Sequence, residues 1–155
     1  LALALDEITK NMKRQHTNGG LNELPWTPDI LPIQINIIGE LAVLAIPGEI
    51  TTIAAKRLKH STLKVLEKRG VKNIVVSCYS NAYAGYITTY EEYQTQCYEG
   101  GHTLFGEWTL AAYQSKFKEL ALEMLKPKPQ REYDQKTKPH SFKDSTIKAR
   151  TYGNF

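Results

Sequence analysis

The sequence predicts an α/β fold, a mixed sheet with flanking helices, and three observations support this. Two short apolar runs, residues 33–38 and 41–46, have the length and composition of strands. Residues 50–70 follow, with apolar residues at helical spacing. A third apolar run then occupies residues 71–78. Strand, helix and strand in this order are typical of α/β domains. With 155 residues and 41% apolar content, the chain is long enough for one ordinary core.

The first two strands predict a hairpin. Residues 33–38 (IQINII) alternate apolar and polar side chains, which is typical of a strand covered on one face. Residues 41–46 (LAVLAI) are continuously apolar and suit a strand buried on both faces. Because only Gly39 and Glu40 separate the two runs, we expect a two-residue turn between them.

The beginning of the chain predicts a helix followed by a loop. Apolar residues recur at helical spacing over residues 1–15, and the sequence HTNGG ends the pattern. Residues 21–31 contain two prolines around Trp26, which predicts an extended loop anchored by that ring. The chain begins without Met, and its opening LALAL is too short for a signal peptide. We therefore expect a processed product or an internal fragment.

Glu49 lies where a buried strand is expected to give way to a long helix. The helix is expected to begin at or just after Glu49 and to end at Gly70. A carboxylate at a helix start is favourable with the helix dipole, so capping alone would explain Glu49. Strand-to-helix turns also present functional groups in α/β proteins, so a functional role stays open. The inner face of the helix is expected to comprise Ile50, Ile53, Ala54, Leu58, Thr62, Val65 and Leu66.

Residues 77–106 form a segment unusually rich in tyrosine, SCYSNAYAGYITTYEEYQTQCYEGGHTLFG. It holds six of the nine tyrosines and four of the ten glycines, a mixture that predicts a rigid pocket lined by polar groups. Because the strand at residues 71–78 leads into it, we expect Glu49 and residues 81–86 on the same side of one sheet. A helix from about Thr103 to Leu125 is expected next, with Phe105, Trp108, Ala112, Leu120, Ala121 and Met124 as candidates for its inner face.

The positive charge of the chain lies in its last thirty residues. Residues 126–155 carry eight Lys and Arg against three Asp and Glu, whereas residues 1–125 carry twelve against thirteen. The prolines and low apolar content of residues 126–155 predict a basic tail or linker, which could meet anionic headgroups at a membrane surface. The body lacks the basic face that nucleic-acid binding requires, so we exclude that function. No apolar run approaches the roughly 20 residues of a membrane span.

Few residues in this chain could carry chemistry. The sequence contains no HExxH, CxxC, GxSxG or Gly-rich phosphate motif. Cys78 and Cys97 match no metal spacing, and the sequence is compatible with free thiols or with a bridge between them. Glu49 and the tyrosines remain, since carboxylate oxygen can complete a zinc site and phenols can donate to an oxyanion, although loop tyrosines often only pack. His102 suits a hydrogen-bonding role in the loop as well as a catalytic one.

Four motifs resemble the neutral/alkaline ceramidase family. They are PWTPDI (25–30), AIPGEITT (45–52), NAYAGYITTYEEYQTQCYEGGHTLFG (81–106) and WTLAAYQ (108–114), and they follow the family's order and spacing. Members of that family are zinc-dependent amidases that hydrolyse ceramide, a lipid, to sphingosine and a fatty acid. The resemblance therefore implies Zn²⁺ as cofactor and ceramide as substrate. It also implies a location outside the cell or on the outer face of a membrane.

The resemblance implies roles for three residues. Glu49 falls on the family's zinc-binding glutamate, and Tyr86 falls on its zinc-binding tyrosine. Tyr98 falls on the tyrosine that stabilises the oxyanion, while zinc would polarise the amide carbonyl and activate water. The other four tyrosines of the segment are then expected to serve packing: Tyr79, Tyr83, Tyr90 and Tyr93.

The same resemblance implies an incomplete zinc site. The family's two zinc-binding histidines, its serine and an oxyanion arginine lie upstream of the matched region. We therefore expect residues 1–125 to be the C-terminal part of a ceramidase-like catalytic domain, a partial domain completed by an upstream segment or another chain. The alternative is a ceramidase-like structural subunit of a larger assembly that has lost the chemistry. None of the four histidines present falls on the family's positions: His16, His60, His102 and His140.

Overall fold

The fold is described by a computed structural model that covers residues 28–95, 97–134, 136–139 and 141–150. The predicted N-terminal helix and the loop around Trp26 lie outside these residues. Residues 31–137 form one compact unit, and the remaining described residues belong to a second. The first unit contains strands β1 (Gln34–Ile38), β2 (Leu41–Ala45), β3 (Glu49–Ile50), β4 (Asn73–Ser77) and β5 (Tyr86–Ile87), and helices α1 (Thr52–Leu66), α2 (Tyr90–Gln94), α3 (Tyr98–Gly101) and α4 (Thr109–Leu125).

The main sheet is mixed, which confirms the predicted fold class. Its strand order is β1-β2-β4, with β1 and β2 antiparallel and β2 and β4 parallel. Gly39 and Glu40 form the expected turn of the hairpin, and Gly39 has a positive φ of 59° that glycine adopts without strain. On β1 the side chains alternate in exposure, whereas Ala42 and Leu44 of β2 are fully buried. The alternation predicted for β1 is therefore confirmed, whereas β2 is fully buried on one face and only partly on the other, where Leu41 and Val43 are half-buried.

The core joins the sheet to helices α1 and α4. Leu44 of β2, Leu58 of α1 and Phe117 of α4 are fully inaccessible to solvent and belong to one apolar cluster. The predicted face of α1 is confirmed for Ala54, Leu58, Thr62, Val65 and Leu66. It is wrong for Ile53, which is 45% exposed, and Ile50 precedes the helix in β3.

Helix α1 begins later than predicted, and the interpretation of Glu49 as a helix cap is wrong. Glu49 and Ile50 form β3, and Thr51 occupies the N-cap position before Thr52. The cause is a pairing with a distant segment, because β3 runs parallel to β5 and the Glu49 N–H donates to the Gly85 carbonyl oxygen at 2.9 Å. A backbone engaged in this way is extended and cannot belong to the first helical turn.

Helix α4 begins at Thr109, not near Thr103, and half of the predicted inner face is wrong. Phe105 and Trp108 precede the helix and are 46% and 64% exposed, and Ala112 is also exposed. Gly106, with φ of 85°, turns the chain between the short helix α3 and α4, which shifts the start of the helical pattern. Of the predicted residues, Ala121 is buried and Met124 packs against the core, while the buried residues of α4 are Thr109, Leu110, Tyr113, Phe117 and Ala121.

Beyond α4 the described chain contains two short helical segments. A 3-10 turn spans Lys128–Gln130, and helix α5 of the second unit spans Asp144–Arg150. The tail expected over residues 126–155 therefore contains a short helix, while its division from the body at residue 125 stays a prediction. None of the described helices is long and apolar enough to cross a membrane. Cys78 and Cys97 are both free thiols, so the bridge that the sequence allowed is not formed.

The corrected face of α4 can be tested with two phenylalanines. Phe117→Ala should lower the free energy of unfolding by about 3–5 kcal/mol, because it opens a cavity beside fully buried neighbours. Phe105→Ala should cost less than about 1 kcal/mol, because nearly half of that side chain is exposed. Urea unfolding followed by circular dichroism measures both, and similar losses for the two variants would contradict the assignment of the buried face.

Candidate active site

The candidate site is built on the short parallel pair β3–β5. Glu49 of β3 lies opposite Tyr86 of β5 in the register of this pair. The Glu49 N–H donates to the Gly85 carbonyl at 2.9 Å, and the Thr51 N–H donates to the Ile87 carbonyl at 3.1 Å. Paired residues of neighbouring strands project to the same side of a sheet, so this register sets the two side chains next to each other.

Two glycines allow three backbone segments to meet at this pair. A Cβ on Gly48 would lie 2.7 Å from the Gly85 carbonyl oxygen, and a Cβ on Gly85 would lie 2.5 Å from the His102 carbonyl oxygen. Gly85 also has a positive φ of 77°. The His102 carbonyl accepts the Tyr86 N–H at 3.0 Å, which ties the third segment to β5. Glycine is therefore required here by both conformation and space.

Three tyrosine hydroxyls surround the Glu49 carboxylate. The Tyr83 hydroxyl donates to Glu49 Oε1 at 2.6 Å. Hydrogen bonding from Tyr79 lowers the pKa of Glu49 most, followed by that from Tyr83 and Tyr86, and the charge of His102 lowers it further. The carboxylate is therefore ionised at neutral pH and presents a fixed negative charge.

The same contacts keep the phenols protonated. Hydrogen bonding to Glu49 raises the pKa of Tyr79, Tyr83 and Tyr86 to about 12 in each case, and partial loss of water contact adds to the effect. Ionising a phenol beside a carboxylate would place two negative charges together. In the metal-free chain, the three hydroxyls therefore remain hydrogen-bond donors through the neutral range.

Tyr98 lies beside Tyr86. Its ring meets the Tyr86 ring edge to face with centroids 5.6 Å apart, and it lies 4.4 Å from the His102 ring. His102 Nδ1 is 2.8 Å from the carbonyl oxygen of Tyr98. Because a carbonyl can only accept, Nδ1 carries the proton of this hydrogen bond. Tyr98 is 65% exposed, which leaves its phenol accessible to a ligand.

The structure brings Glu49, Tyr86 and Tyr98 together and adds two tyrosines that sequence reasoning assigned to packing. Tyr79 and Tyr83 are 63% and 50% exposed, their rings stack in parallel at 6.0 Å, and both interact with Glu49. The packing assignment is therefore wrong for these two residues. The available signal was the position of Tyr79 directly after a strand, because strand ends in α/β proteins carry functional groups.

An unusual backbone conformation directs Tyr79 toward the site. Tyr79 has a positive φ of 55°, which costs energy for a residue with a large side chain. Two hydrogen bonds hold this turn, from the Tyr79 N–H to the Gly48 carbonyl at 3.2 Å and from the Ser80 N–H to the Ile46 carbonyl at 2.9 Å. No rule applied to the sequence alone would have indicated this conformation.

The donor set fits part of a zinc site. Glu49 and Tyr86 offer carboxylate and phenol oxygens in adjacent positions, and carboxylate oxygen is a known zinc ligand. Within the described residues, no group of three or more His, Cys, Asp and Glu side chains could hold a metal ion. These residues alone therefore do not complete a tetrahedral site, and further ligands would have to come from elsewhere.

Comparison with known proteins points to one group of enzymes. Residues 9–115 match the family model described as neutral/alkaline non-lysosomal ceramidase, N-terminal. The chain is 44% identical over 111 residues to the neutral ceramidase of Pseudomonas aeruginosa, covering 72% of this chain and 17% of that protein. It is 43% identical over 109 residues to neutral ceramidase B of Dictyostelium discoideum, covering 69% of this chain and 15% of that protein. A crystal structure of the Pseudomonas aeruginosa neutral ceramidase superposes with a TM-score of 0.64 at 46% identity, covering 66% of this chain and 16% of that chain.

The charge of Glu49 can be tested through the tyrosines around it. In the metal-free chain, Glu49→Gln should lower the pKa of Tyr79, Tyr83 and Tyr86 from about 12 toward the ordinary value of about 10. Tyr113 is an internal control, because burial alone raises its pKa to about 12. NMR of tyrosine labelled at Cζ follows each ring. Identical tyrosine titrations in the variant and the wild type would contradict the hydrogen bonding of these tyrosines to Glu49.

The linked change in stability has a definite sign. Since the folded pKa of Glu49 is lowered, its stabilising contribution is present above the ordinary carboxyl pKa and is lost as pH falls through the folded value. Since the tyrosine pKa values are raised, their contribution is complete below about pH 10 and is lost as pH rises toward 12. In Glu49→Gln the contribution of Glu49 should be lost and the loss of stability above about pH 10 should become smaller, while the burial of Tyr113 leaves a residual dependence there, as measured by urea unfolding across pH.

The close approach at Gly85 provides a separate test. Gly85→Ala should lower the free energy of unfolding by about 2 kcal/mol or more, because it combines a left-handed backbone with a clash against the His102 carbonyl. Gly101→Ala is the matched control, since a Cβ there meets nothing within 4 Å. This control should keep the stability or raise it by up to about 1 kcal/mol. Equal losses of unfolding free energy in the two variants, measured by thermal or urea unfolding, would contradict the requirement for glycine at position 85.

Proposed function

This chain belongs to the neutral/alkaline non-lysosomal ceramidase family, and we propose that it supplies part of a zinc-dependent site that hydrolyses ceramide. The supporting observation is the ionised Glu49 carboxylate, which lies opposite Tyr86 and is surrounded by tyrosine hydroxyls. The chain spans only 17% and 15% of the length of the relatives compared above. The rest of the site would come from an upstream segment or from another chain.

Glu49 and Tyr86 would hold the zinc ion as two oxygen ligands. Zinc bound there would act as a Lewis acid toward the amide carbonyl and lower the pKa of water. The fixed register of β3 and β5 would hold the two ligands in adjacent positions before the metal binds. Tyr79 and Tyr83 would keep the carboxylate oriented and ionised by hydrogen bonding. Such support of a metal ligand is a common feature of metal sites in proteins.

Tyr98 would act on the substrate side of this site. During amide hydrolysis the carbonyl oxygen gains negative charge, and a positioned phenol that donates to it lowers the barrier. Tyr98 is exposed, and its ring is flanked by Tyr86 and His102, which restrict its movement. The imidazole of His102 also bonds the Tyr98 backbone and would hold the start of α3 in place. The products would be sphingosine and a fatty acid.

The proposal is tested in the assembled protein by measuring bound zinc and ceramide hydrolysis together. Glu49→Gln should lose zinc and activity, because one metal ligand is gone. Tyr98→Phe should keep zinc and lower kcat by about 10²–10³-fold, because one donor to the oxyanion is removed. Tyr90→Phe is the control, since the Tyr90 ring packs on Trp108 with centroids 5.2 Å apart, outside the proposed chemistry.

Three outcomes would contradict the proposal. Wild-type protein that hydrolyses ceramide without zinc would exclude the metal role, as would full activity in Glu49→Gln. An assembled protein that holds neither zinc nor activity would favour the alternative, a ceramidase-like structural subunit.

A further inference from the structure

Glu92 of helix α2 binds the chain just beyond the ends of both β3 and β5. Its carboxylate oxygen Oε2 accepts the Thr51 hydroxyl at 2.6 Å. The same oxygen accepts the Thr89 backbone N–H at 2.8 Å. Thr51 lies two residues after Glu49, and Thr89 lies three residues after Tyr86. One carboxylate therefore connects the two segments that carry the proposed zinc ligands.

The hydroxyl of Thr51 serves this connection and does not cap its own helix. Thr51 is the N-cap of α1, where threonine commonly accepts a backbone N–H of the first turn. In the part of the chain that the structure describes, its side chain makes no such capping bond. Thr89, by contrast, forms a complete capping box with Glu92 at the start of α2, and its hydroxyl accepts the Glu92 N–H at 3.1 Å.

Polar contacts, not apolar burial, hold α2 against this region. Helix α2 has five residues, and none of them is buried. Glu91 forms a second link to α1 through Arg57, with a distance of 2.8 Å between Arg57 Nη1 and Glu91 Oε2. Both of these side chains are exposed, and exposed ion pairs contribute little. The hydrogen bond from the Thr51 hydroxyl to Glu92, which is half-buried, is therefore the principal fixed contact between α2 and the start of α1.

We propose that Glu92 is a positioning residue for the site at Glu49 and Tyr86. A parallel pair of two residues on each strand has few hydrogen bonds of its own, so its register depends on what fixes its ends. By binding Thr51 and Thr89 through one oxygen, Glu92 keeps the ends of β3 and β5 at a constant separation. The consequence for zinc and catalysis rests on the proposed function, whereas the effect on the strand pair does not.

Two substitutions at position 92 distinguish the need for a hydrogen-bond acceptor from the need for a negative charge. Glu92→Ala removes the shared acceptor and leaves the Thr51 hydroxyl and the Thr89 N–H without it. Glu92→Gln keeps a carbonyl oxygen with two lone pairs, which can accept both donors. Glu91→Gln is the matched control, because it removes the charge of the neighbouring glutamate, which pairs with Arg57 and also interacts with the Thr89 side chain, and leaves the shared acceptor on Glu92 in place.

Hydrogen exchange of the metal-free chain tests the positioning role directly. In Glu92→Ala, the amides of Glu49 and Thr51, which bond to β5 and its flanking residue, should exchange at least about tenfold faster. In Glu92→Gln they should stay within about threefold of the wild type, and Glu91→Gln should not change them. Amides of the buried strand β2 serve as the internal reference and should keep their rates in every variant. Unchanged exchange in Glu92→Ala, or equal acceleration in Glu91→Gln, would overturn the proposal.

Kinetics in the assembled protein distinguish positioning from general support of the fold. Glu92→Ala should lower kcat by about 10- to 100-fold with little change in KM, and Glu92→Gln should restore most of it. Faster exchange without a loss of kcat in an active, zinc-bound enzyme would overturn the positioning role. If the wild type holds no zinc, the proposed function fails, while the exchange rates still decide whether Glu92 fixes the strand pair.

Discussion

The pairing of β3 with β5 is the interaction on which the rest of the site depends. Each strand contributes only two residues, yet this pairing sets Glu49 opposite Tyr86. It is possible because Gly48 and Gly85 carry no side chain where their backbones approach within contact distance. The same approach brings in the His102 carbonyl, and with it the segment that carries Tyr98. Backbone geometry thus brings the segments that carry the candidate catalytic groups together, and side-chain contacts such as those of Glu92 keep them there.

The Glu49 carboxylate then orients the tyrosine side chains that surround it. Three phenols interact with Glu49, so its pKa falls while the pKa values of Tyr79, Tyr83 and Tyr86 rise to about 12. The result is a localised negative charge with fixed orientation in a partly open position, a suitable environment for a cation. The buried core formed by the main sheet, α1 and α4 holds the segments on either side of this pair. Among the described residues, the apolar core cluster contains Ile87 of β5 but neither Glu49 nor Tyr86, so the core anchors the strand pair while the proposed ligands lie outside it.

The sequence predicted the elements whose signals are local and missed those set by distant contacts. The alternation of apolar and polar residues over 33–38 and the turn at Gly39 were sufficient to predict the hairpin, because both signals come from neighbouring residues. The closeness of Glu49 to the tyrosine-rich segment could also be predicted, since both follow strands of one sheet. The start of α1 could not be predicted, because the hydrogen bond from Glu49 to Gly85, thirty-six positions away, extends the chain there. The role of Tyr79 was missed for a similar reason, because its backbone turn is held by hydrogen bonds to the carbonyl groups of Ile46 and Gly48, which follow β2.

The most direct measurement is anomalous diffraction at the zinc absorption edge from crystals of the assembled protein. It locates the metal independently of any kinetic assay. We expect a zinc peak within coordination distance of both a Glu49 carboxylate oxygen and the Tyr86 phenol oxygen, with Tyr83 still bonded to Glu49. A zinc peak at another location, with Glu49 bonded only to tyrosine hydroxyls, would contradict it.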